Sequence, residues 1–216
     1  MQNEIFKRII SSAILLPAVI FFIFYGGIFF YLLILVCFAL SVYEWSKLVN
    51  KKFYFYLGLF FLIFSFFSFY ELRNSFDNNY FYIFLIISIC VSTDIGGYVF
   101  GKLIKGPKLT SISPNKTISG LVGSYILSFS LIPILIKINI VDIDKIISMV
   151  IFVFTISSLS QIGDITISYF KRVAKVKDTG KIIPGHGGLL DRIDGMLFAF
   201  PTAYMIISNS TFNIIQ

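Results

Sequence analysis

Long apolar runs separated by short polar stretches repeat along the whole chain. Seven of them meet or approach the roughly 20 residues that a helix needs to cross a hydrocarbon core about 30 Å thick. They cover approximately residues 9–25, 28–46, 53–70, 80–101, 118–136, 146–168 and 189–208. The pattern predicts an all-α polytopic membrane protein with about seven transmembrane helices. The first run follows Lys7 and Arg8, as a secretory signal would. No A-x-A-like cleavage site comes after it; Gly26-Gly27 and a second apolar run do. That run is therefore expected to be the retained first helix of a hairpin.

Composition strengthens this picture. Of 216 residues, 57% are hydrophobic and 13% charged, about half of the roughly 25% charged residues of a soluble domain. The mean hydropathy is +0.88. So few charges cannot cover a water-facing surface, and the apolar surplus is expected to face lipid. Cys37 and Cys90 lie inside apolar runs, which argues against a disulfide framework, and no Cys/His spacing resembles a zinc site.

The net charge of +7 changes the picture through its placement. Lys and Arg concentrate on the cytoplasmic side of membrane proteins. With the N-terminus cytoplasmic, only Arg73, Lys137 and Lys145 of the 18 basic residues fall on the opposite side. An odd number of spans then puts the C-terminus on that opposite side. Much of the positive charge sets topology and meets anionic lipid headgroups, and no nucleic-acid partner is expected. The chain divides into N-terminal helices (1–80, three spans) and a region (81–216, four spans) whose two long polar loops face the cytoplasm. The second of these runs from Lys171 to Gly188.

Carboxylates inside membrane spans are expensive and mark functional candidates. Asp94, Asp164, and the pair Asp191 and Asp194 qualify. Asp191 and Asp194 are three residues apart and share a helix face, so two ionised groups there repel unless a cation intervenes. A divalent ion on oxygen ligands, with Asp164 as a third, is one reading. The other is that Arg192 and nearby lysines neutralise them, with Asp191 favouring the positive end of its helix. Lys171, Arg172, Lys175, Lys177 and Lys181 precede the pair, followed by Pro184-Gly185-His186-Gly187-Gly188. Lysines, glycines and a helix start together suit a metal-bound polyphosphate. The single histidine, His186, is expected to be a site member of unspecified role. No Walker-type loop and no G-x-G-x-x-G is present.

The stretch Ser168 to Asp194, S-Y-F-K-R-V-A-K-V-K-D-T-G-K-I-I-P-G-H-G-G-L-L-D-R-I-D, resembles the signature of phosphatidate cytidylyltransferases, the CDP-diacylglycerol synthases, without a break. A second block is similar to the same family upstream: Asp94-Ile-Gly96-Gly97-Tyr98, Gly101, Gly106, Ser113-Pro114, Lys116-Thr117 and Gly120. Ser119 stands where the family usually has Glu, and Lys102 where Arg is commoner. Relatives often have more N-terminal spans than three, a difference expected to bear on packing or a dimer interface rather than on chemistry.

The resemblance implies transfer of a cytidylyl group from CTP to phosphatidate, giving CDP-diacylglycerol and pyrophosphate. It places Mg2+ on Asp164, Asp191 and Asp194, with a second, monovalent cation such as K+ nearby. Lys171, Arg172 and Lys177, with Asp178 and His186, complete the expected catalytic set. Asp94, Ser113, Lys116, Thr117, Gly185, Gly187, Gly188 and Arg192 are expected to bind the nucleotide. The partners implied are CTP, phosphatidate and the bilayer, and a homodimer is left open. The expected location is a bacterial inner membrane, with the site on its cytoplasmic face. The rivals are a CTP-dependent polyprenol-type kinase, which would pass on the γ-phosphate, and a transporter for anionic substrates.

Overall fold

Each predicted apolar run is helical in the computed structural model, which describes residues 2–75, 79–110, 112–113, 116–185 and 187–209. The helices are α1 (Gln2–Tyr25), α2 (Gly27–Leu48), α3 (Lys52–Asn74), α4 (Asn79–Leu103), α5 (Ile118–Phe129), α6 (Leu131–Lys137), α7 (Ile146–Val173) and α8 (Leu190–Ile207). A 3-10 turn, Ile143–Lys145, leads into α7. Among the described residues there is no strand, only two isolated bridges, Lys108 with Thr117 and Ile183 with Gly187.

Among the described residues five segments are long and apolar enough to cross a membrane: α2, α3, α4 from Tyr80, α5 with α6, and Ile143–Val173. The apolar part of α1, Ala13–Tyr25, is shorter, and α8 opens on three charges, Asp191, Arg192 and Asp194. The run expected over 118–136 is broken into α5 and α6. Pro133 has no N–H to give, and its ring crowds the carbonyl of Phe129 four residues back, where α5 ends.

Large apolar side chains such as Ile28, Leu35, Phe60, Ile126 and Ile147 are exposed on the helices' outer faces, while Phe30, Ile86, Met149, Phe152 and Ile156 are fully buried between helices. Such an inside-out distribution matches a bundle whose surroundings are lipid. Arg73, one of the three basic residues expected on the far side, is used internally. Its Nε donates to the Ile23 carbonyl at 2.9 Å, satisfying one of the carbonyls left open at the end of α1.

Two helix pairs approach unusually closely, and glycine makes each approach feasible. A Cβ on Gly96 of α4 would strike the Gly123 carbonyl of α5, and one on Gly120 of α5 would stand 2.7 Å from the Gly97 carbonyl. Between α7 and α8, a Cβ on Gly163 would strike the Asp194 carbonyl, and one on Gly195 would strike Ser160. Without a hydrophobic force between helices in lipid, backbone proximity of this kind is what holds them together. Its consequence is local: Asp94 comes beside the middle of α5, and Asp164 beside Asp194.

Candidate functional site

The two polar loops are ordered by their own backbones. In the first, Leu109 N donates to Lys116 O at 2.8 Å, Lys116 N to Ser113 O at 3.0 Å and Ile118 N to Pro107 O at 3.0 Å. Thr117 caps α5, its Oγ1 accepting from Gly120 N at 3.1 Å, as a residue with non-helical φ and a short side-chain oxygen does at this position. Ser119, the departure from the family pattern, also bonds within this loop: its Oγ donates to the Lys105 carbonyl.

In the second loop, Ile183 and Gly187 exchange both backbone hydrogen bonds, at 3.0 and 3.2 Å. This closes a turn in which Gly185 and Gly187 adopt φ of 76° and 90°, a region favourable to glycine. His186 lies outside the described residues.

Beside the first loop is a cavity of about 330 Å3. Of the residues expected at the site, Asp94, Ser113, Lys116, Thr117, Asp164, Asp191 and Asp194 line it. They come from α4, the first loop, α7 and α8, so the cavity joins both sequence blocks. Tyr98 and Gln161 line it too. The buried Nε2 of Gln161 has no acceptor among the described residues.

The carboxylates here have different partners. Lys116 Nζ is 2.6 Å from Asp164 Oδ2, and Ser168 Oγ donates to Asp164 Oδ1 at 3.3 Å. Lys171 Nζ is 2.6 Å from Asp191 Oδ1. Asp191 Oδ2 accepts from Thr179 N at 2.8 Å, Thr179 Oγ1 at 3.0 Å and Gly188 N at 3.2 Å. Both Asp191 oxygens are therefore engaged in holding the second loop. Asp194 Oδ1 accepts from Gly195 N at 2.8 Å, and Asp194 and Asp94 each feel the charge of Asp164.

Four carboxylates, Asp94, Asp164, Asp191 and Asp194, thus line one cavity, with Lys116 as the cation paired across it. Among the described residues no three His, Cys, Asp or Glu side chains form a ready-made ligand set; these carboxylates stand around the space rather than converging on a point. Their donor chemistry nevertheless suits a hard, oxygen-seeking cation. Asp191, expected to share in the metal, could join only by giving up Lys171 and its loop contacts.

The other expected residues fall elsewhere. Gly187 packs beside Asp178 and Asp191. Arg172, Lys177, Asp178 and Arg192 are exposed and, with Gly185, lie outside the cavity lining.

The N-terminal helices, whose short extent was expected to bear on packing or a dimer interface, reach the second loop. Ser11 Oγ of α1 donates to the Pro184 carbonyl at 3.0 Å. Glu44 of α2, fully buried, accepts from Leu189 N at 2.9 Å and Leu190 N at 2.8 Å. Glu44 lies inside the run expected over 28–46, so the rule that singled out Asp94 applied to it equally.

Carboxylates and Lys116 thus line one cavity in a helical bundle of membrane type. A sequence profile of the cytidylyltransferase family matches residues 6–73 and 54–209, and the chain belongs to that family. It is similar to a phosphatidate cytidylyltransferase of Staphylococcus aureus (strain COL), 42% identical over 148 residues, covering 68% of this chain and 55% of the relative. The phosphatidate cytidylyltransferase of Staphylococcus haemolyticus (strain JCSC1435) is 40% identical over 145 residues, covering 66% of this chain and 54% of the relative. That of Bacillus subtilis (strain 168) is 38% identical over 154 residues, covering 71% and 55%. The chain spans about half the length of these curated relatives.

Proposed function

We propose that this chain transfers the cytidylyl group of CTP to phosphatidate, releasing pyrophosphate and forming CDP-diacylglycerol. The observation that carries this reading is the meeting of both sequence blocks at one cavity, with Lys116 and Lys171 held at its carboxylates by ion pairs of 2.6 Å. It is supported by membership of the cytidylyltransferase family and by the names of the relatives.

In the reaction a phosphate oxygen of phosphatidate attacks the α-phosphorus of CTP. A new P–O bond forms, and the bond from that phosphorus to the oxygen bridging the β-phosphate breaks. The nucleophile is already ionised near neutral pH, so no strong general base is needed. Catalysis then rests on positioning and on stabilising charge. Lys116 has a phosphate-seeking ammonium at the cavity, and Lys171 is held next to it by Asp191, which lines the same cavity.

Asp94, Asp164 and Asp194 would hold a divalent cation, expected to be Mg2+, with a monovalent ion such as K+ as its neighbour. When bound, such an ion neutralises phosphate oxygens and stabilises the pyrophosphate leaving group.

The full topology of seven spans, with the N-terminus cytoplasmic and the C-terminus opposite, belongs to the same reading. It is supported by the five spanning segments, by α1 and α8 as the remaining two, and by the basic residues clustered at the end that holds the cavity. The site then faces the cytoplasm of a bacterial inner membrane, where CTP is dissolved and the acyl tails of phosphatidate remain in the bilayer. Polar groups gathered at one end, rather than in a chain across the bundle, weigh against a transporter. The test is mass spectrometry of lipid extracts from the purified chain in nanodiscs supplied with phosphatidate, Mg2+ and CTP. CDP-diacylglycerol is expected; its absence from folded protein would refute the reading.

A further inference from the structure

We propose that Glu44 is a positioning residue of the transfer site, a carboxylate supplied by α2 that fixes the start of α8 and, through Thr179, the Asp191–Lys171 pair. The inference rests on the reading of the site given above.

The first N–H groups of a helix have no partner within it and are normally satisfied by the residue just before it. At α8 that residue is Leu189, whose side chain provides no cap. The acceptor comes instead from 145 residues earlier: Glu44 Oε1 takes Leu189 N at 2.9 Å, and Oε2 takes Leu190 N at 2.8 Å. A carboxylate there also meets the positive end of the helix dipole. The surroundings leave no space for side chains: a Cβ on Gly180 would stand 2.5 Å from Oε1, and one on Gly188 2.6 Å from Oε2. A carboxylate with no exposed surface is costly unless its oxygens are hydrogen-bonded, and here both are.

The connection to the chemistry is Thr179, itself buried. Its Oγ1 is 2.9 Å from Glu44 Oε2 and 3.0 Å from Asp191 Oδ2, its single hydroxyl proton shared between the two carboxylates. Its N–H holds the same Asp191 oxygen at 2.8 Å, and the other Asp191 oxygen holds Lys171 at 2.6 Å. A continuous series of contacts therefore runs from Glu44 to a cation beside the reacting phosphates, while the helix it caps carries Asp194. Glu44 need not touch substrate to matter; displacing a catalytic array by about 1 Å can cost on the order of 100-fold in rate.

The experiment uses Glu44→Gln and Thr179→Val in the full chain in lipid nanodiscs, with α-labelled CTP, Mg2+ and phosphatidate. Gln puts a donor where Leu189 N or Leu190 N needs an acceptor; Val keeps the shape of Thr179 and removes its hydroxyl. The expected result is a fall in kcat of about 100-fold, with KM for CTP changed by less than about threefold. The Glu44→Gln/Asp191→Asn double variant should be no slower than the slower single variant, because both act on one array. Amides of Thr179, Leu189 and Leu190 should exchange with deuterium at least about tenfold faster in Glu44→Gln, as expected when local opening becomes easier.

Wild-type kcat in both variants, or losses that multiply in the double variant, would overturn the proposal. If Glu44→Gln does not fold, Thr179→Val decides alone, and a wild-type kcat there overturns it. A wild-type chain that folds but transfers nothing would refute the functional reading instead. Amide exchange then decides for Glu44, with unchanged rates counting against it.

Discussion

Lys116 Nζ lies 2.6 Å from Asp164 Oδ2, joining the loop before α5 to the middle of α7. The two side chains are 23% and 33% exposed, so water screens the pair and it contributes no more than about 1 kcal/mol to stability. Its value is to hold an ammonium at the cavity. Lys116→Met should lower kcat about 100-fold, in the range seen when a preorganised charge is removed from a transition state. Thermal unfolding in detergent should shift stability by less than about 1 kcal/mol. Loss of stability with activity retained would assign the pair to the fold.

Asp191 and Asp194 are predicted to respond differently to the same change. Asp191→Asn weakens the hold on Lys171, Thr179 and Gly188, and should cost about 1–3 kcal/mol of stability along with activity. Asp194→Asn removes one of the carboxylates that repel across the cavity. It should abolish measurable transfer while leaving thermal stability equal to wild type or higher. Thermal unfolding and transfer assays on both variants check this; identical behaviour would contradict the separation of roles.

Gly163→Ala should be disruptive out of proportion to one methyl group, because its Cβ meets the Asp194 backbone carbonyl rather than a flexible side chain. Overpacking of this kind costs about 1–3 kcal/mol. It should also reduce transfer by moving Asp164 relative to Asp194. Val122→Ala, at a half-exposed position on the outer side of α5, should change neither.

How far the sequence foretold this arrangement depended on distance along the chain. The helices follow from the apolar runs, since any helix in lipid must be apolar along a stretch set by bilayer thickness. Asp94, Asp164 and Asp194 stood out because a carboxylate in such a run is conspicuous by itself. Their meeting at one cavity had no local signal, for it depends on glycines at 96, 120, 123, 163 and 195 that act only once two helices touch. Asp191 was legible as important and not as the holder of Lys171, because its partners lie 20, 12 and 3 residues away, one at the end of α7 and two in the irregular loop that follows. Glu44 was overlooked between Tyr43, Trp45 and Lys47, where a charge near a helix end looks interfacial. Its partners are 135 to 146 residues distant.

Asp94, Asp164 and Asp194 predict a metal requirement with a particular dependence. EDTA should stop transfer and added Mg2+ should restore it. Asp94→Asn should raise the Mg2+ concentration needed for half-maximal rate by about tenfold, in the range of 10–100-fold found when groups supporting a metal are altered. Full activity in EDTA, or an unchanged Mg2+ dependence in Asp94→Asn, would remove these carboxylates from that role.

The most direct measurement follows the phosphorus atoms of CTP. Purified chain in nanodiscs containing phosphatidate would be given CTP labelled separately at its α- and γ-phosphates. The account predicts that label enters lipid from the α position alone, with pyrophosphate released in equal amount. Label entering from the γ position would make the protein a lipid kinase and contradict the account. No label from either, with protein shown to be folded, would contradict it as a group-transfer enzyme.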